Sequence, residues 1–294
     1  MTTLRPLRFL RRVLLAAMAC ACGLVAAQTP DGATLTLSAR AATVTDLDTG
    51  NIVFEKSGAE QRPVASLTKL MSAMVLLDQG LPMDTPIRVD AGDRDMLKGS
   101  HSRLAIGAVL TRRQLLTLAL VASDNRAILA LARTGPGGIP AFVDAMNAKA
   151  RQLGLRNTHF VEPSGLSPAN VSTAEELARL AGAAYGYSEI RALSTTARTE
   201  ANVRGRRVAF RNTNSLVADP QLGIGLTKTG FINEAGRCVL VVLRAGSRHF
   251  AVALLGAPSG RARSRDLLAL HEWLQSGVTA APLSVEGDNH DMVE

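Results

Sequence analysis

The chain has 294 residues, a formal net charge of +8, 47% apolar residues and 20% charged residues. This is an ordinary globular mixture that excludes a fibrous or mainly disordered chain. Aromatic residues at 3% argue against a base-stacking nucleic-acid binder, so the basic excess points to another anionic partner, such as a cell-wall polymer or a membrane surface.

Residues 1–27 read as a secretory signal peptide. Arg5, Arg8, Arg11 and Arg12 precede a charge-free stretch over 13–27 that is too short for a typical membrane span. Val25, Ala26 and Ala27 are small enough for cleavage before Gln28. The expected location is the periplasm with no permanent membrane anchor, the alternative being that this stretch is retained as a short membrane anchor. Two of the three cysteines leave with the leader, and Cys238 is expected to be buried in a strand. The histidines show no zinc-ligand spacing, so no metal site is expected.

In chain order, 42–57 reads as a hairpin around Asp48-Thr49-Gly50. A helix is predicted over about 66–79, stopped by Gly80-Leu81-Pro82. Residues 82–110 are polar and turn-rich. A single helix is predicted over 112–133, a second over 139–153, and a third over 173–185 with Thr173 near its cap. Strands follow at 208–210, 224–232, 238–244 and 250–255, and 261–275 closes the chain as a helix. The last 18 residues hold Glu286, Asp288, Asp291 and Glu294 without a base and read as a disordered tail over 277–294. The pattern predicts one α/β (α+β) domain over 28–276. Its sheet comes from about 34–65 and 200–276, and a helical part over about 66–199 lies between.

Three short motifs stand out. Ser66-Leu67-Thr68-Lys69 puts a serine and a lysine one turn apart at a helix start, where free N–H groups favour a developing anion. The helix has almost no polar face. A lysine in it loses solvation, which favours the neutral amine and makes it a general base beside a nucleophile. Ser123-Asp124-Asn125 offers a proton-relaying hydroxyl and an amide, or else a capped helix break. Lys228-Thr229-Gly230 lies in a strand. Alternation puts Lys228 with Ile224 and Leu226 on one face, and Gly230 lets another backbone approach closely. An extended substrate could add to this strand. Lys56-Ser57-Gly58 matches the last pattern by accident, since it precedes Ser66.

Together and in this order, the three motifs form the set of serine β-lactamases and penicillin-binding proteins. The sequence resembles the low-molecular-mass penicillin-binding proteins, which are serine-type D-Ala-D-Ala peptidases. It looks most like the penicillin-binding protein 7-like murein endopeptidases. The likeness covers about 42–276 and includes Arg62-Pro-Val-Ala-Ser-Leu-Thr-Lys, Phe160-Val-Glu-Pro-Ser-Gly-Leu-Ser, Phe210-Arg-Asn-Thr-Asn and Thr227-Lys-Thr-Gly-Phe-Ile-Asn-Glu.

The resemblance implies a β-lactamase/transpeptidase-like fold, an antiparallel sheet flanked by helices with an all-helical subdomain inserted. It implies Ser66 as acylated nucleophile, Lys69 as proton acceptor and Ser123 as proton-transfer partner. Asn125, Lys228, Thr229 and Gly230 would bind substrate. The N–H groups of Ser66 and Phe231 would form the oxyanion hole, and Lys228 would help keep Lys69 unprotonated. No cofactor is implied. The implied partners are cross-linked peptidoglycan and β-lactams, which would acylate Ser66 and stay.

Four readings compete: a DD-endopeptidase cutting D-Ala to diaminopimelate cross-links, a DD-carboxypeptidase, a β-lactamase and a penicillin sensor. Only the 18-residue tail over 277–294 lies beyond the predicted domain, which favours the endopeptidase over anchored carboxypeptidases. Asp124 and Glu162 invite the β-lactamase, although Ser167 stands where that family has Asn. The sensor would need a membrane-spanning transducer, which the sequence does not encode. The basic segments Arg204-Gly-Arg-Arg and Arg261-Ala-Arg-Ser-Arg read as solvated faces, with murein binding as the functional alternative.

Overall fold

The structure, a computed structural model, describes residues 35–277. The leader and the acidic tail lie outside the described residues.

β1 (Ala41–Asp46) and β2 (Ile52–Lys56) form the expected hairpin. β3 (Arg62–Pro63) leads into a single 3-10 turn, Ala65–Leu67, and α1 (Thr68–Asp78) follows. Ser66 therefore sits in a tight turn before the helix, not in its first α-helical turn. β4 (Pro86–Arg88) pairs with β5 (Val109–Thr111). The predicted helix over 112–133 is two helices, α2 (Arg112–Val121) and α3 (Asn125–Arg133). Ser123 between them adopts φ +57°, which stops an α-helix. Asp124 then accepts from Ala127 N at 3.0 Å and caps α3. The apolar period runs through this break, which is why periodicity alone joined the two.

α4 (Gly138–Gln152), β6 (Val171–Ser172) and α5 (Ala174–Tyr185) come next, with Thr173 capping α5 as expected. α6 (Ser188–Ser194) and β7 (Arg198–Val203) had no clear sequence signal. β7 pairs with β8 (Arg206–Arg211) through a turn at Arg204-Gly205. β9 (Ile224–Ile232), β10 (Gly236–Ala245), β11 (Arg248–Ala257) and α7 (Gly260–Gln275) end the described chain.

The main sheet is antiparallel in the order β2-β1-β11-β10-β9. Both ends of the described chain contribute strands to it, with Ala41 opposite Leu255. One face carries Ala41, Leu226, Leu240, Val242 and Ala253 into the core shared with α1 to α6. The other carries Ala42, Val44, Val241 and Val252 against Leu267, Leu270 and Leu274 of α7. Cys238 is fully buried on the helical side. Ile224 does not share a face with Leu226. The register shifts between Val242 and Leu243, so a one-residue bulge at Gly225 turns Ile224 toward α7. β9 is an edge strand. Its next neighbour is the turn that holds Ser66.

Candidate active site

Three backbone segments converge on Ser66. The residue before it, Ala65, is held at φ +49°, a strained conformation for a side-chain-bearing residue. Gly165 presses on this turn from the 160s loop. A Cβ added at Gly165, where φ is +82°, would stand 1.8 Å from Ala65 O. Gly230 approaches from β9, and a Cβ there would stand 3.1 Å from Val64 O and 3.2 Å from Ser66 N. The backbone that Gly230 admits is therefore the chain's own.

α1 is buried nearly all round, and Lys69 is fully buried within it. Its Nζ donates to Ser66 Oγ at 2.9 Å, Asn125 Oδ1 at 2.6 Å and Ser164 O at 2.6 Å. The last two atoms can only accept. In the neutral amine they take both hydrogens, and the lone pair then faces the Ser66 hydroxyl. Burial lowers the Lys69 pKa to about 8, against the upward pull of Glu162, Asp124 and Asp95. About a tenth of the side chain is thus free amine at neutral pH.

Lys228 is buried beside this group, and its pKa lies well below the ordinary value. Burial is the main cause, followed by the charges of Lys69 and Arg263. Its Nζ donates to Ser123 Oγ at 2.8 Å and to Thr229 O at 2.9 Å. Ser123 therefore pairs with Lys228 and not with Lys69. Thr229 Oγ1 bonds Thr213 Oγ1 at 2.7 Å. Asn125 Nδ2 donates to Ser100 Oγ at 2.8 Å, which leaves one N–H of the amide for a ligand. Phe231 is 46% exposed, with the Arg237 guanidinium 3.6 Å from its ring centre.

Glu162 has a structural task. Its carboxylate accepts from Ser164 N at 2.7 Å, Ser164 Oγ at 2.5 Å, Gly165 N at 2.5 Å and Asn170 Nδ2 at 3.1 Å. Asp124 is likewise occupied, capping α3 and accepting from Ser102 Oγ at 2.7 Å. Neither is positioned as a free base. Sequence reasoning missed Ser164, whose contribution is a carbonyl, and Ser100, which lies in the turn-rich stretch. It also missed Arg263. Arg261 and Arg265 are exposed, but Arg263 is half-buried and close enough to Lys228 to perturb it. Its guanidinium has no carboxylate partner among the described residues.

Residues 25–259 match the D-alanyl-D-alanine carboxypeptidase family, peptidase S11. The chain belongs to this family and is a serine-type D-Ala-D-Ala peptidase, a hydrolase of the penicillin-binding protein class. It is 41% identical over 253 residues to the D-alanyl-D-alanine endopeptidase of Pseudomonas aeruginosa, covering 85% of this chain and 82% of that one. It is 40% identical over 254 residues to the D-alanyl-D-alanine endopeptidase of Escherichia coli, covering 84% and 82%. The crystal structure of the Streptomyces K15 DD-transpeptidase superposes with a TM-score of 0.75 at 29% identity, covering 81% of this chain and 97% of that one. The D-alanyl-D-alanine carboxypeptidase DacD from Francisella tularensis gives 0.74 at 26% identity, covering 83% and 71%.

Proposed function

We propose that this enzyme is a periplasmic murein DD-endopeptidase, exported by residues 1–27, that cleaves D-Ala to diaminopimelate cross-links through an acyl-enzyme on Ser66. The single observation that carries the chemistry is the Lys69 amine, held by Asn125 and Ser164 with its third direction on Ser66 Oγ. The choice of cross-links rests on the two endopeptidases to which the chain is about 40% identical.

Lys69 accepts the Ser66 proton as Oγ attacks the D-Ala carbonyl. The developing oxyanion lies between the N–H groups of Ser66 and Phe231, and one such donor is worth about 3 kcal/mol. Supporting this pairing is the contact of Gly230 with Ser66 N. Collapse breaks the C–N bond. The leaving amine takes its proton from the Lys69 ammonium, which restores the free amine, and Ser123 Oγ, held by Lys228 Nζ, assists this transfer. Water then hydrolyses the ester by the reverse path. The leaving D-residue carries a free α-carboxylate, for which the unpaired Arg263 supplies positive charge and Thr229 a hydroxyl, with Lys228 Nζ beside them.

The test uses cross-linked muropeptide dimers and monomeric pentapeptide, with products followed by mass. Loss of dimers without loss of terminal D-Ala supports the endopeptidase, and the reverse selects the carboxypeptidase. Ser66→Ala should abolish both dimer cleavage and covalent attachment of labelled penicillin while leaving the far-UV circular dichroism intact. Penicillin attachment to that variant would sink the assignment of the nucleophile.

A further inference from the structure

One charged contact joins the loop before Ser100 to the turn between β9 and β10. Lys98 Nζ lies 2.5 Å from Glu234 Oε1, although the residues are 136 positions apart. Lys98 sits on a loop that Asp95 organises through Leu97 N, Lys98 N and Ser100 N. The same loop reaches the catalytic group through Ser100 and Asn125. Glu234 sits on the β9–β10 turn, three residues past Phe231. A cleft of about 330 Å³ opens there beside Phe231, rimmed by Arg40, Asn233 and Glu234. Met96 and Leu97 flank Lys98 and are 86% and 60% exposed.

The direction of the substrate follows from charge, on the peptidase reading above. The leaving half carries the free α-carboxylate and faces Lys228 and Arg263. The acyl half then runs the other way, past Asn125 and Phe231, toward Lys98 and Glu234. A surface ion pair with both members about a third exposed contributes little to stability. It does offer an anion and a cation side by side next to the cleft at Phe231.

We infer that Lys98 and Glu234 form a specificity subsite for the acyl half of the substrate, reading the side chain of the residue that precedes D-Ala. The matching ligand chemistry is a side chain ending in both an ammonium and a carboxylate, as a diamino dicarboxylic acid does. Such an end exchanges with the pair, its ammonium on Glu234 and its carboxylate on Lys98. A neutral side chain leaves the pair closed and gains nothing from it.

The experiment compares two synthetic X-D-Ala-D-Ala peptides of equal length. In one, X has a side chain ending in an amino acid zwitterion, and in the other the side chain is acetylated and neutral. The readout is the ratio of their kcat/KM values. Wild-type protein should prefer the zwitterion through KM, and the preference should fall roughly five- to tenfold in Lys98→Met and in Glu234→Gln. General damage to the loop would slow both peptides and leave the ratio unchanged. A ratio unchanged in both variants overturns the assignment. So does a swapped Lys98→Glu/Glu234→Lys protein that recovers none of the preference. Wild-type protein that cleaves neither peptide nor muropeptide dimers would overturn the peptidase reading itself, and this subsite with it.

Discussion

Lys69 is where burial and charge oppose each other. Burial lowers its pKa to about 8, while Glu162, Asp124 and Asp95 hold it up. In the proposed mechanism the amine form is the reactive one, and it grows as pH rises. Acylation by a penicillin should therefore increase about tenfold per pH unit below this value and level off above about 8. Asp124→Asn tests the electrostatics without removing the cap, because asparagine caps helices as well as aspartate does. It deletes one negative charge that favours the ammonium, so the midpoint of the acylation profile should move to lower pH. A midpoint that stays or rises would contradict the account. The Ser66–Lys69 and Ser123–Asn125 spacings were legible in the sequence because they are local. Their partners were not. A carbonyl such as Ser164 O has no side-chain signature, and the pairing of Ser123 with Lys228 joins positions 105 apart.

At the scale of elements, the site depends on backbones in contact. The 160s loop is braced by Glu162 and touches the Ser66 turn through Gly165. Alanine at 165 would need a φ of +82° and would overlap Ala65 O. Gly165→Ala should cost at least about 2–3 kcal/mol in chemical denaturation and should strongly reduce penicillin acylation. Near-normal acylation in a stable variant would show that this contact is dispensable. Gly225 and Ser123 make a related point. A bulge and a positive-φ break each overturned a periodic reading, because alternation and helical period describe regular backbone only.

For the whole molecule, the sheet is closed by strands from opposite ends of the chain, and α7 covers its second face. Asp266 of α7 joins those ends by accepting from Ser38 N at 3.0 Å and Ala39 N at 2.7 Å. Asp266→Ala leaves both donors without this acceptor. It should lower stability by about 1–3 kcal/mol in one cooperative transition. A two-step unfolding curve would mean that the terminal strands detach separately. Among the described residues no helix is long and apolar enough to cross a membrane.

The amino-acid sequence by itself determined the strand–helix–strand order, the family and the spacing within the three motifs. Each of these is written in local spacing and apolar pattern. Only the tertiary structure decided which groups those residues face. It joined Lys69 to Ser164, gave Ser123 to Lys228, turned Arg263 inward and set Lys98 against Glu234. These pairings depend on how distant backbones approach, and that approach is set by packing around the sheet.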